Sequence, residues 1–136
     1  MKGIISGVLL ALALSGCAMT RPSVEEVADS YHSELNTPQK ETIRETLSEH
    51  CSSLVYKDNV VKVNCYLSGD VLVYNANLIN RRWEWTPQAA AANTKNILKN
   101  ICEQDVLQYG FAVLVNLEGE NGFVGKLKTY DDCLNL

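Results

Sequence analysis

VLVYNANLIN, Val71–Asn80, is the stretch on which the fold of this chain turns. Leu72, Tyr74, Ala76 and Leu78 alternate with Val71, Val73, Asn75, Asn77 and Ile79, the period-two pattern of a strand. One face of that strand is wholly apolar and the other turns polar midway. Upstream, Ser68-Gly69-Asp70 reads as a turn, Val60–Leu67 as a strand, Asp58-Asn59 as a second turn and Leu54–Lys57 as the strand before it. Three consecutive short strands joined by tight turns predict an antiparallel meander.

Helical signals flank the meander. Ser23 with Glu26 is a capping-box pattern, and Val24, Val27, Tyr31 and Leu35 line one side of the helix it would open. Thr37-Pro38 supplies an N-cap and a first helical residue, with Ile43, Leu47 and Cys51 spaced by four on one stripe. Thr86-Pro87 repeats that signal ahead of an alanine-rich helix running to about Cys102, with Ile97, Leu98 and Ile101 facing inward. Gly110–Leu117, a loop centred on Asn121-Gly122, and Phe123–Thr129 read as a closing hairpin. The predicted fold is α+β: an antiparallel sheet of about five strands with helices packed on one face, in the order ααβββαββ.

The N-terminus carries a different message. Lys2 precedes an apolar run from Ile4 to Leu14, broken only by Ser6 and Gly7, and Ser15-Gly16 precede Cys17. The run is too short to span a bilayer and fits a secretory signal. Leu14-Ser15-Gly16-Cys17 resembles the lipobox of bacterial lipoproteins, whose cysteine takes a diacylglyceryl group before cleavage on its N-terminal side. The resemblance implies a signal peptide over residues 1–16, a lipidated Cys17 with a short tether to residue 22, and one α+β domain over residues 23–136. Two or three acyl chains give the stable attachment that one chain does not. Residue 18 is Ala and not the Asp that retains such proteins at the inner membrane, so the resemblance implies the outer membrane, on its periplasmic face. Ala18–Pro22 reach about 17 Å at full extension, which would keep the domain close to the lipid.

Loss of residues 1–16 leaves 120 residues, enough for one ordinary core. Removal of Lys2 takes the net charge from −4 to −5, and no basic block is present, which argues against nucleic acid and anionic lipid head groups as partners. With Cys17 taken by lipid, four of the five cysteines remain, as expected for two disulfides in an oxidising compartment. Three pairings are possible. Cys51 with Cys65 and Cys102 with Cys133 is favoured because each closes a modest, sequence-local loop, of about 15 and about 32 residues, stabilising by roughly 3 and roughly 3.7 kcal/mol on the chain-entropy model. The spacings lack CxxC, which disfavours thiol redox chemistry and structural zinc.

Nothing in the sequence points to catalysis, a metal or a cofactor. His32 and His50 lie in polar helical stretches without a ligand set and read as solvated residues. No nucleophile elbow is present, Gly119 and Gly122 belong to a hairpin turn and not to a phosphate loop, and Asp131-Asp132 reads as a solvated turn. No small-molecule substrate is suggested. The most unusual segment is Arg81-Arg82-Trp83-Glu84-Trp85. Two tryptophans at i and i+2 in an extended stretch would share a side and, with Arg82 and the alanine run around Ala90, could border a binding groove; equally, both rings could close the end of the core.

The helix ending Ile101-Cys102, then Tyr109-Gly110-Phe111-Ala112-Val113, the Gly119–Gly122 turn and a last strand before Cys133 resemble the C-terminal half of the AspS (GspS-beta) pilotins of type II secretion. These are small outer-membrane lipoproteins with an α/β domain, a disulfide between helix and C-terminal strand, and a groove for the C-terminal helix of a secretin subunit. The resemblance covers residues 87–133 and the lipobox; the Cys51 and Cys65 pair departs from it. It implies a chaperone that binds a secretin tail and assists its targeting to the outer membrane, with Arg82, Trp83, Trp85 and Ala90 as candidate contacts. The alternatives are an envelope lipoprotein that inhibits or excludes an incoming hydrolase or phage protein, for which the Leu117–Gly122 loop would be a short finger, and a purely structural envelope lipoprotein.

Overall fold

A computed structural model describes residues 22–35, 37–53 and 56–136. The signal segment, Cys17 and its tether to residue 21, and Leu54 and Val55 of the first predicted strand lie outside the described residues. The elements run α1 (Val24–Asp29), α2 (Pro38–Ser53), β1 (Tyr56–Lys57), β2 (Val61–Ser68), β3 (Val71–Leu78), α3 (Pro87–Glu103), a 3-10 turn (Leu107–Tyr109), β4 (Ala112–Glu118) and α4 (Tyr130–Leu134). Among the described residues no helix is long and apolar enough to cross a membrane.

The fold is α+β, but the sheet is mixed and has four strands, in the order β1-β2-β3-β4. β1–β2 and β2–β3 are antiparallel, with Cys65 opposite Tyr74 and Ser68 opposite Val71 across the turn at Gly69. β4 lies parallel to β3, with Val71 opposite Ala112 and Asn75 opposite Asn116. A parallel neighbour requires a long crossover, and α3 supplies it. The sequence pattern predicts a terminal hairpin instead. Residues 123–129 do run antiparallel along β4, but they make only isolated bridges, Asn116 with Val124 and Val113 with Lys128. Two residues on β4 face three between those bridges, so one residue is extra and regular pairing lapses at Gly125, whose N–H still reaches the Val115 carbonyl at 2.9 Å. The chain then closes with α4, absent from the expected order; the Thr129 N–H donates to the Asp132 carboxylate at 2.8 Å as half of a capping box.

Helices occupy both sheet faces and not one. On one face α2 and α3 bury Leu47, Cys51, Leu98 and Ile101 against Val63, Cys65, Leu72, Tyr74, Ala76, Val113, Val115 and Leu117. On the other, Ala28 of α1, with Val24, Val27 and Tyr31, covers Val71, Val73, Ala112 and Leu114. This explains why Val71–Tyr74 and Ala112–Val115 are continuous apolar runs: strands buried on both faces have no polar side to show. α1 is shorter than its apolar spacing predicts. Ser23 caps it, its hydroxyl accepting the Glu26 N–H at 3.2 Å, but the helix ends at Asp29, leaving Tyr31 to pack from the following loop and Leu35 exposed. Thr37 does not act as the expected side-chain cap of α2, since its buried hydroxyl has no partner.

Two kinds of tie hold α2 and the chain end to the sheet. Disulfides join Cys51 to Cys65, linking α2 to β2, and Cys102 to Cys133, linking α3 to α4. At the β2–β3 turn, Asp70 receives Lys40 Nζ at 3.0 Å and an Arg44 guanidinium nitrogen at 2.7 Å, while Lys40 also donates to the Leu35 carbonyl at 2.9 Å. Both cations lie over the buried Phe111 ring, 5.7 and 5.6 Å from its centroid, a cation–π arrangement that offsets part of the cost of burying Lys40.

Candidate functional site

The approach to α3 is fixed by Trp85. Its backbone N–H donates to the Glu120 carbonyl at 2.9 Å and its indole Nε1–H to the Glu118 carbonyl at 2.9 Å, so the ring is buried and the turn after β4 is bound to the start of α3. Asn121 adds a bond to Glu84 at 3.1 Å. Thr86 then caps α3, accepting the Ala89 N–H at 3.1 Å, and Pro87 fits the first turn, where no N–H is needed.

One side of α3 is left open by this arrangement. Ala90, Ala91, Thr94, Lys95 and Leu98 face Phe123 and Lys128 across a groove of about 700 Å³, with Trp85 at one end and Leu136 on its rim. Small side chains at Ala90 and Ala91 keep the groove open, because nothing longer than a methyl group rises from those positions of the helix. Phe123 and Leu136 stay about half exposed, so large apolar surface meets solvent at the edge. The facing wall is held by the bridges to β4, and the C-terminal rim by the Cys102–Cys133 bond.

Of the sequence-predicted contacts, the groove brings together Trp85 and Ala90. Trp83 and Arg82 are not part of it. The chain turns at residues 80–82, where the Arg82 N–H donates to the Asn80 side chain at 3.1 Å, and is extended only from there on, with Glu84 bridged to Glu120; Trp85 is buried while Trp83 stays exposed, and the two meet only at a second cleft. Trp83 remains exposed and borders clefts with Leu78, Arg81 and Glu120 on one side and with Val61, Ala89 and Asn93 on the other. Phe123, Lys128 and Leu136 come from segments remote in sequence; only the Asn121-Gly122 turn signal pointed to their neighbourhood. His32 is exposed and His50 half-buried near the end of α2.

No family model, curated protein or solved structure matches the chain. The functional reading therefore rests on the groove and on the residues that build it.

Proposed function

We propose that this chain is an outer-membrane-anchored lipoprotein that acts as a binding or chaperone module, of the pilotin kind, taking the C-terminal helix of a secretin subunit into the groove beside α3. The observation that carries the reading is the groove itself: an apolar trough along a helix, floored by alanines and edged by exposed Phe123 and Leu136. That is the surface a helix-in-groove partner needs, since an amphipathic helix offers large side chains at i, i+3, i+4 and i+7 to fill it. Its position suits a tethered carrier. Pro22, five residues beyond the lipid-bearing Cys17 of the sequence reading, borders a neighbouring cleft with Asn116, Phe123 and Val124, and Phe123 is shared with the groove. A helix docked there would be carried next to the lipid.

The inhibitor reading draws less support, because the turn that would serve as its finger is bonded to Glu84 and Trp85 rather than free to project. The test is a titration of the purified full chain with C-terminal peptides of the secretins encoded by the same organism. Saturable binding that disappears when Ala91 becomes Glu is expected; absence of binding to every such peptide would overturn the proposal.

A further inference from the structure

A second cleft lies along a different face of α3 and uses the part of the Arg81–Trp85 segment that the groove leaves out. Asn93, Asn96 and Asn100 recur at i, i+3 and i+7, which places their carboxamides in one row. They face Val61, Val63 and Tyr74 of β2 and β3, Tyr56 of β1 and Asp58 just after it, around a space of about 460 Å³. A neighbouring space that shares Asn93, Asn96 and Val61 with it is bordered by Trp83 and Ala89. The whole cleft thus has an exposed aromatic ring at each end, Trp83 at 44 % and Tyr56 at 53 % exposure, an apolar floor and a wall of carboxamides.

Its chemistry narrows the ligand. Among the described residues no Lys or Arg lines either part, so an anion meets no counter-charge from them. Asp58 is committed to its own turn, its carboxylate accepting the Val60 and Val61 N–H groups at 2.7 and 2.8 Å and the Tyr56 hydroxyl at 3.0 Å. Burial pushes the Tyr74 hydroxyl up to about 12, which keeps it a neutral donor at physiological pH. A purely apolar ligand fails as well: it would cover the row of Asn carboxamides and leave their donors and acceptors without partners. A carboxamide both donates and accepts, as a hydroxyl does, and aromatic faces take the apolar face of a sugar ring.

We propose that the cleft from Trp83 to Tyr56 binds a neutral glycan chain, with Asn93, Asn96 and Asn100 hydrogen-bonding its hydroxyls and the two end aromatics stacking on its rings. The site shares only Trp85 and Thr86 with the groove and does not depend on the chaperone reading.

Isothermal titration of the purified full chain with chitotetraose and, separately, cellotetraose tests this and distinguishes an acetamido sugar from a plain one. Saturable binding of either is expected, weakened at least about fivefold by Trp83→Ala and by Asn96→Ala, each a change at an exposed side chain that leaves the melting temperature in place. Asn93→Leu gives a readout that a structural role would not: it removes a side-chain oxygen that is buried without a hydrogen-bond partner, so the melting temperature holds or rises, while a carboxamide is lost from the cleft wall and glycan binding with it. Absence of binding to both tetrasaccharides, binding untouched by the Trp83 and Asn96 substitutions, or a loss of stability in Asn93→Leu would each overturn the assignment, as would a secretin peptide that competes for these residues.

Discussion

Asp70 joins two cations that come from one helix to the turn between two strands, and its titration should be visible in the stability of the whole chain. Burial alone would raise its pKa, but the hydrogen bonds from Arg44 and Lys40 and the charge of Lys40 outweigh that and hold it below the ordinary carboxylate range. A carboxyl with a folded pKa below its unfolded value stabilises the fold above the unfolded pKa, near 4, and that contribution is lost as pH falls through the folded value. Asp70→Asn is therefore expected to melt below the wild type at pH 7 and to converge on it in acid, which thermal melts between pH 7 and pH 3 would show. Asp70→Ala strips the partner from buried Lys40 and should cost about 3 kcal/mol, the low end for a broken buried pair because Asp70 keeps some contact with solvent. Chemical denaturation at neutral pH measures it.

Among the elements, the two disulfides separate stability from groove shape. Replacing Cys51 and Cys65 together by Ala should cost roughly 3 kcal/mol and leave peptide binding unchanged, since that bond lies between α2 and β2. Replacing Cys102 and Cys133 should cost roughly 3.7 kcal/mol and also weaken peptide binding, because α4 and the Leu136 rim lose their tie to α3. Denaturation and titration of both double variants check the contrast. Both pairings were among the readings that sequence supported, as were the meander and α3, because turn residues at 58–59 and 68–70 and the Thr86-Pro87 cap act locally. The partner of β4 was not legible in the same way. Asn121-Gly122 suggested a hairpin, and the stronger clue, the unbroken apolar run Ala112–Val115 beside that of Val71–Tyr74, was the mark of strands covered on both faces. α4 was also missed, although Thr129 and Asp132 have the spacing of a capping pair. At the groove, Ala90 could be placed from helix periodicity, whereas Phe123 and Leu136 could not, since tertiary folding alone brings them to α3.

For the molecule as a whole, the groove and the N-terminal side of the chain meet at Phe123, and the proposed function needs both. Ala91→Glu places a charge on the apolar wall while touching no core residue, so peptide affinity should fall at least about tenfold with the melting temperature unchanged. On the lipoprotein reading, Cys17→Ser removes the acyl attachment and should move the chain from the membrane to the soluble fraction while peptide affinity stays as it was; fractionation and titration of the same preparation test the two halves separately. The parallel pairing of β3 with β4 also sets an order of events. β1, β2 and β3 meet across turns of a few residues, but β4 can dock only after the chain has travelled from Leu78 through α3 to Ala112, a much costlier loop to close. In pulse-labelled hydrogen exchange, amides shared by β2 and β3 should become protected first and those of β4 last. A newly made chain would then hold a folded amino-terminal half while the wall opposite α3 is still unformed, and the groove would be the last thing it completes.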